Sequence, residues 1–133
     1  MISYFHKAII SVSMAVLLAA CAVTADKIVE DGGTKLSSAE IQALYGAGAS
    51  IAWTSSSGAS GTATYAPDGA ANVKFGSNDW VGTWRAGDDA LCTSYPERGN
   101  GEERCFPTFK KASGGYTWFR PDGSHGGDFT IVQ

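Results

Sequence analysis

Apolar and polar residues alternate along most of the chain after Ser50, and glycine-rich breaks interrupt the alternation about every ten residues. Alternation with a period of two is typical of half-buried β-strands, and a series of short strands at this spacing favours a sandwich or a barrel. Pro-Asp-Gly sequences at 67–69 and 121–123 mark two of the turns. The predicted strands lie at residues 51–54, 62–66, 71–75, 81–85, 90–95, 103–109, 116–119 and 127–132.

A helical pattern precedes the strands. Three apolar residues recur there at helical spacing, namely Ile41, Leu44 and Tyr45. Ser37 and Glu40 have the spacing of a capping box, so we predict one short helix over residues 38–45. Because two helical turns are not stable alone, this helix must dock on an apolar surface. The predicted fold class is mainly β: a small antiparallel sheet, sandwich or barrel of seven to eight short strands with one short N-terminal helix.

The N-terminal residues have the pattern of an export signal. His6 and Lys7 precede an almost unbroken apolar run at 8–20. A positive start followed by such a run is typical of a secretory signal peptide, whereas a transmembrane helix needs about 20 apolar residues. Two cleavage sites remain open: the sequence 18–21 resembles the bacterial lipobox, in which Cys21 is acylated, and the sequence 23–25 resembles an ordinary signal-peptidase site.

The lipobox alternative predicts a membrane partner. Lipidation of Cys21 would anchor the exported protein to a membrane and place it in the outer membrane or the periplasm. Residues 21–36 are largely polar and lack periodicity, so we expect a flexible tether there. The predicted organisation is therefore a signal peptide at 1–20, a flexible tether at 21–36 and a small β domain at 37–133.

The three cysteines of this 133-residue chain predict one covalent cross-link. If Cys21 is lipidated or removed, Cys92 and Cys105 remain as a pair, and an oxidising compartment favours a disulfide between them. The chain-entropy description gives about 3 kcal/mol of stabilisation for a loop of this length. A zinc site is the alternative, but two cysteines without a nearby histidine supply too few ligands.

The net charge of -3 and a pI of about 5.2 argue against a nucleic-acid partner. Acidic residues also interleave with the one mild basic cluster, which consists of Arg98, Arg104, Lys110 and Lys111. The acid pairs at 88–89 and 102–103 lie beside turns, where solvated hairpin tips are expected rather than carboxylates that face each other across a glycosidase cleft. His125 is flanked by Ser124 and acidic residues, but consecutive residues cannot adopt the geometry of a catalytic triad. We expect no catalytic residue, no metal and no cofactor.

Four large aromatic residues are the hardest to place in the core of so small a domain: Trp80, Tyr95, Tyr116 and Trp118. If Phe119 points inward, alternation places Tyr116 and Trp118 on the outer face. We predict an outward aromatic platform, which suits a glycan or protein partner. The alternative is the inverted alternation, with Trp118 in the core and Phe119 at the rim.

An ordered set of short motifs gives the chain a family resemblance. The set is Leu44-Tyr45-Gly46 at the helix end, Trp53, the sequence 65–69, Gly82-Thr83-Trp84, Leu91-Cys92, Cys105, Gly115-Tyr116 and Asp122-Gly123. From Leu36 onward it resembles an uncharacterised family of exported bacterial proteins, filed as domain of unknown function 995. The resemblance implies export, the cysteine pair and a small β architecture, and it implies no catalytic residue. Gly82-Thr83-Trp84 is also similar to the Gly-x-Trp of lipocalins.

These observations predict an exported, lipid-anchored β module of the cell envelope that binds a partner or ligand and is not an enzyme. The first alternative is a lipocalin-like barrel that binds a small ligand. An envelope hydrolase and an enzyme inhibitor that presents the hairpin between Cys92 and Cys105 are further alternatives. The ligand or partner is not identified by the sequence.

Overall fold

The computed structural model describes residues 22–132, in which the chain forms two helices, nine strands and one short 3₁₀ turn. The predicted signal peptide at 1–20 and Cys21 lie outside the described residues. The helices are α1 (Ala25–Glu30) and α2 (Ser38–Tyr45), and the 3₁₀ turn is Gly99–Gly101. The strands are β1 (Thr34–Lys35), β2 (Ala49–Ser55), β3 (Ser60–Tyr65), β4 (Ala70–Phe75), β5 (Asn78–Gly87), β6 (Ala90–Ser94), β7 (Arg104–Lys110), β8 (Tyr116–Phe119) and β9 (His125–Val132).

Strands β2 to β9 form a closed antiparallel barrel. Each strand pairs with its neighbours in sequence, and β9 returns to pair with β2. Closure satisfies the hydrogen bonds of both edges of a sheet, which an open sheet of eight strands leaves exposed. The predicted mainly β fold is confirmed, and of the architectures left open by the sequence the barrel is the one that forms.

Helix α2 closes one end of the barrel. Ser37 accepts a hydrogen bond from the backbone N–H of Glu40, and the Glu40 side chain accepts one from the backbone N–H of Ser37, so the predicted capping box is present. Ile41 and Tyr45 are 0% and 1% exposed and belong to the core inside the barrel. The helix packs on β5 and β6. The predicted docking of a short helix on an apolar surface is therefore confirmed.

Part of the segment predicted as a flexible tether is folded, because residues 25–36 contain α1, β1 and a buried leucine. Thr24 caps α1 by accepting a hydrogen bond from the backbone N–H of Lys27. Strand β1 then pairs with β7, and Leu36 is buried in the core while its backbone N–H donates to the carbonyl of Thr108. Two short elements and a single apolar anchor are too short to leave a periodic signal in the sequence, so the folded part begins earlier than expected.

The predicted disulfide is confirmed. Cys92 on β6 and Cys105 on β7 are directly opposite each other, with a Cα–Cα distance of 4.0 Å, and their sulfurs are bonded. Both point to the outside of the barrel, because their neighbours Leu91 and Phe106 line its interior. The bond closes the hairpin that carries the loop at 95–103. In the part of the chain that the structure describes, no helix has the length and apolar character needed to cross a membrane.

Candidate functional site

The barrel encloses a cavity of about 410 Å³, a size typical of small-molecule sites. Tyr45 from α2 and Tyr65 from β3 form its floor, and their rings meet edge to face at a centroid distance of 4.7 Å. Both phenols are buried, and burial is the main reason that their pKa values lie above that of a free tyrosine. The floor is therefore made of neutral phenols at physiological pH.

Aromatic rings form two walls of the cavity. On one side Phe75 lies between Trp53 and Trp80, at centroid distances of 6.0 and 4.9 Å, and Trp80 continues to Tyr95 at 6.1 Å. On the other side Phe129 of β9 contacts Trp118 at 6.2 Å. Rigid rings at these separations offer an apolar surface of fixed shape to a ligand.

Glycines in the strands make room for these rings. Gly61 lies directly opposite Trp53, and a Cβ atom at this glycine would lie 2.7 Å from the indole ring. A Cβ atom at Gly82 would likewise lie 2.7 Å from the ring of Tyr95. A glycine inside a strand weakens the strand but allows close approach of another group to the backbone. Here the approaching group is an aromatic ring of the cavity wall.

Two polar atoms of the cavity walls are buried and have no hydrogen-bond partner among the described residues. They are the indole nitrogen of Trp53 and the phenol oxygen of Tyr95. Burial raises the pKa of Tyr95 to about 12, while the nearby Arg98 opposes the shift. An unpaired buried polar group costs about 1–3 kcal/mol, and a ligand that bonds to it recovers that cost. The cavity thus offers unused hydrogen-bonding groups as well as apolar surface.

Two half-buried arginines line the end of the cavity opposite α2. Arg98 comes from the loop between β6 and β7, and its guanidinium lies 5.7 Å from the centre of the Phe106 ring. Arg120 follows β8 and donates to the carbonyl of His125 at 2.6 Å and to the hydroxyl of Ser56 at 3.1 Å. All these contacts are to neutral groups, so the positive charges at this mouth of the barrel are not compensated by them.

The electrostatics of Arg98 reflect this crowding of positive charge. Its pKa is lowered, first by burial and then by the charges of Arg104 and Arg120. No salt bridge within residues 22–132 includes any of these three arginines. Like charges in a partly desolvated site repel one another, and an anion placed among them would be stabilised.

The predicted binding residues come together, but inside the barrel rather than on its outer face. Trp80, Tyr95 and Trp118 line the cavity, and Tyr116 stacks on Phe129 with a centroid distance of 5.0 Å and an angle of 10° between the ring planes. The prediction of an outward platform is therefore wrong in its placement. Both faces of β8 are covered, since Phe119 on its outer face is only 2% exposed. The inverted alternation is right in placing Trp118 inside the barrel, but its placement of Phe119 at the rim is wrong because Phe119 is buried on the outer face.

The other polar residues considered from the sequence serve structural contacts. His125 begins β9, and its Nε2 is 2.9 Å from the hydroxyl of Thr117. Asp89 accepts a hydrogen bond from the backbone N–H of Ser38, and Glu103 pairs with Arg85 on the outside of the barrel. Cys92, Glu103 and Cys105 lie close together, but both sulfurs are used in the disulfide.

The mouth arginines are the part of the site that sequence reasoning did not find. In the sequence Arg98 belongs to the mild basic cluster of its hairpin, and Arg120 directly precedes the Pro-Asp-Gly turn at 121–123. The positions of the two arginines contain a signal for this site, because in an up-and-down arrangement of strands both lie next to turns at the same end. Recognising it required knowledge that the sheet closes into a barrel.

No family model, curated protein or solved structure matches the chain. The resemblance to domain of unknown function 995 therefore stays a prediction.

Proposed function

We propose that this chain is a non-enzymatic binding protein that encloses a small, mainly apolar ligand inside its barrel. The observation that carries the proposal is the cavity of about 410 Å³, which has a phenolic floor and two aromatic walls. The buried and unpaired polar atoms of Trp53 and Tyr95 support it, because a binding site is where such groups find a partner. Of the functions considered from the sequence, the small-ligand barrel is the one that the cavity favours.

We propose further that this binding takes place in the cell envelope. The support is the predicted export signal at 1–20 and the sequence at 18–21, which resembles a lipobox that ends at Cys21. A lipid-anchored barrel would hold its ligand close to a membrane surface. Mass spectrometry of the membrane fraction tests the anchor: an acylated N-terminal Cys21 is expected, and a soluble form that begins at Asp26 would contradict it.

The binding proposal can be tested with N-phenylnaphthylamine, an uncharged dye whose fluorescence rises in apolar surroundings. The unmodified protein should bind it saturably. Val73→Phe should weaken binding at least tenfold, because Val73 points into the cavity and a larger side chain fills it. Lys74→Phe is the matched control, since the adjacent residue on the same strand is exposed and points outward.

The outcomes separate a cavity site from a surface site. Absence of saturable binding by the unmodified protein would contradict the proposal, and so would equal weakening by Val73→Phe and Lys74→Phe. Circular dichroism and urea unfolding establish whether each variant is folded. If Val73→Phe does not fold, Ala59→Phe replaces it, because Ala59 lines the open end of the cavity and is exposed there. Ala59→Phe should then give the same loss of dye binding.

A further inference from the structure

We infer that the ligand is an amphiphile whose single oxyanion head, a carboxylate or a sulfate, is held at the mouth of the barrel by Arg98 and Arg120 while its apolar tail lies along the aromatic walls. This inference rests on the proposed binding function and deepens it. Both arginines line the same cavity as the aromatic rings. The cavity therefore has positive charge at its mouth and apolar surface along its walls. An amphiphile with an anionic head and an apolar tail matches this arrangement.

Arg98 has a charge that the described part of the protein leaves without a counterion. Its guanidinium lies over the Phe106 ring and makes no side-chain hydrogen bond within residues 22–132. A guanidinium presents several N–H groups in a fixed fork that matches the two oxygens of a carboxylate. Arg98 is therefore suited to bind an oxyanion at the mouth.

Arg120 contributes a second charge at a fixed position. Its Nη1 donates to the carbonyl of His125, and its Nη2 donates to the hydroxyl of Ser56, which lies in the turn between β2 and β3. These bonds join two loops at the mouth and hold the guanidinium there. Since the acceptors are uncharged, Arg120 keeps its attraction for an anion.

The acidic residue near Arg120 is already engaged. Asp122 accepts hydrogen bonds from the hydroxyl and the backbone N–H of Ser124, at 2.6 and 2.9 Å. These bonds are the main reason that its pKa is lowered, and Arg120 adds a smaller effect. Asp122 is exposed to solvent, so it compensates the mouth charges only weakly.

The interior accommodates an extended tail. Ile51 near the floor and Ser55 near the mouth both line the cavity from β2, and four residues of strand span about 13 Å. The tail would contact Phe75, Trp80 and Phe129 along this path. Each methylene transferred from water into such a site should strengthen binding roughly fourfold until the tail reaches the Tyr45 floor.

Displacement of N-phenylnaphthylamine measures the preference for a head group at constant tail length. We expect decanoate to bind at least tenfold more tightly than decanol, since hydrogen bonds to charged groups are the stronger ones. Decylammonium should bind more weakly than decanol. Decyl sulfate distinguishes the two oxyanion sources: tighter binding than decanoate assigns the head as a sulfate, and weaker binding assigns it as a carboxylate.

Two charge-removing variants locate the head group. Arg98→Met should abolish the advantage of decanoate over decanol. Lys74→Met is the matched control, because it removes the same charge from an exposed, outward position, and it should keep the advantage. Arg98→Lys should restore part of it, since the ammonium keeps the charge but lacks the fork.

The failure of this inference is distinguishable from failure of the proposed function. If decanol and decanoate displace the dye equally from the unmodified protein, the binding function stands and the anionic head is refuted. If neither displaces a dye whose binding is weakened by Val73→Phe and not by Lys74→Phe, the binding function stands and the amphiphile is refuted. If the dye does not bind, the proposed cavity function fails as well. Should Arg98→Met not fold, the comparison of decanoate with decanol in the unmodified protein still decides the question.

Discussion

Removing the core side chain of α2 tests whether this short helix is part of the cooperative fold. Ile41 is 0% exposed and packs in the core inside the barrel. Ile41→Ala deletes three carbon atoms, which at roughly 0.8 kcal/mol each gives about 2.4 kcal/mol for lost transfer from water. The cavity left behind adds to this cost, so we expect the free energy of unfolding to fall by about 3–4 kcal/mol.

Urea unfolding followed by tryptophan fluorescence measures this effect. With a slope of about 1.5 kcal/mol per molar urea, a loss of about 3–4 kcal/mol lowers the midpoint by roughly 2–3 M. Gln42→Ala is the matched control, because Gln42 is the next residue on the same helix and is exposed. Its free energy of unfolding should change by less than about 0.5 kcal/mol.

Two results would refute this reasoning. A loss below about 1 kcal/mol for Ile41→Ala would mean that α2 is not packed into the cooperative core. Equal losses for Ile41→Ala and Gln42→Ala would mean that the burial of Ile41 contributes nothing specific. A changed slope in urea would instead indicate a change in the unfolded state or in the cooperativity of the transition.

The remaining predictions concern the cap, the disulfide, the aromatic wall and the buried phenol. Ser37→Ala should lower the free energy of unfolding by about 1 kcal/mol in the same urea assay, because it removes the N-cap of α2; no change would contradict the role of the cap. Reduction of the Cys92–Cys105 bond should lower that free energy by about 2–4 kcal/mol, and free thiols in protein purified from an oxidising compartment would contradict the pairing. Trp118→Ala should destabilise the protein by about 2–3 kcal/mol and weaken dye binding, since its ring packs on Phe129 inside the barrel; an unchanged melting temperature would instead place the ring outside. The pKa of Tyr95 is raised to about 12, so its contribution to stability is complete below about pH 10 and is lost as the pH rises to 12; urea midpoints combined with tyrosinate absorbance should show this loss reduced in Tyr95→Phe.

Local signals were sufficient for most of the elements. The capping box of Ser37 and Glu40 and the helical spacing of Ile41 and Tyr45 specify α2, because these interactions occur between residues three or four positions apart. Alternation located the strands of the barrel, since a strand that faces a core on one side leaves a period of two. The cysteine count and the predicted compartment were sufficient to pair Cys92 with Cys105. Each of these inferences depends on chemistry that is visible within a short stretch of sequence.

The tertiary structure decided which face of each strand is inside and which residues meet. Alternation divides Trp118 and Phe119 between two faces but does not say which face is covered, and in β8 both are. The pairing of β9 with β2 joins segments that are distant in sequence, and it alone turns the series of strands into a barrel with an interior. Arg98 and Arg120 share a cavity for the same reason. A binding site of this kind is a property of closure, because its residues are neighbours only after the sheet has closed.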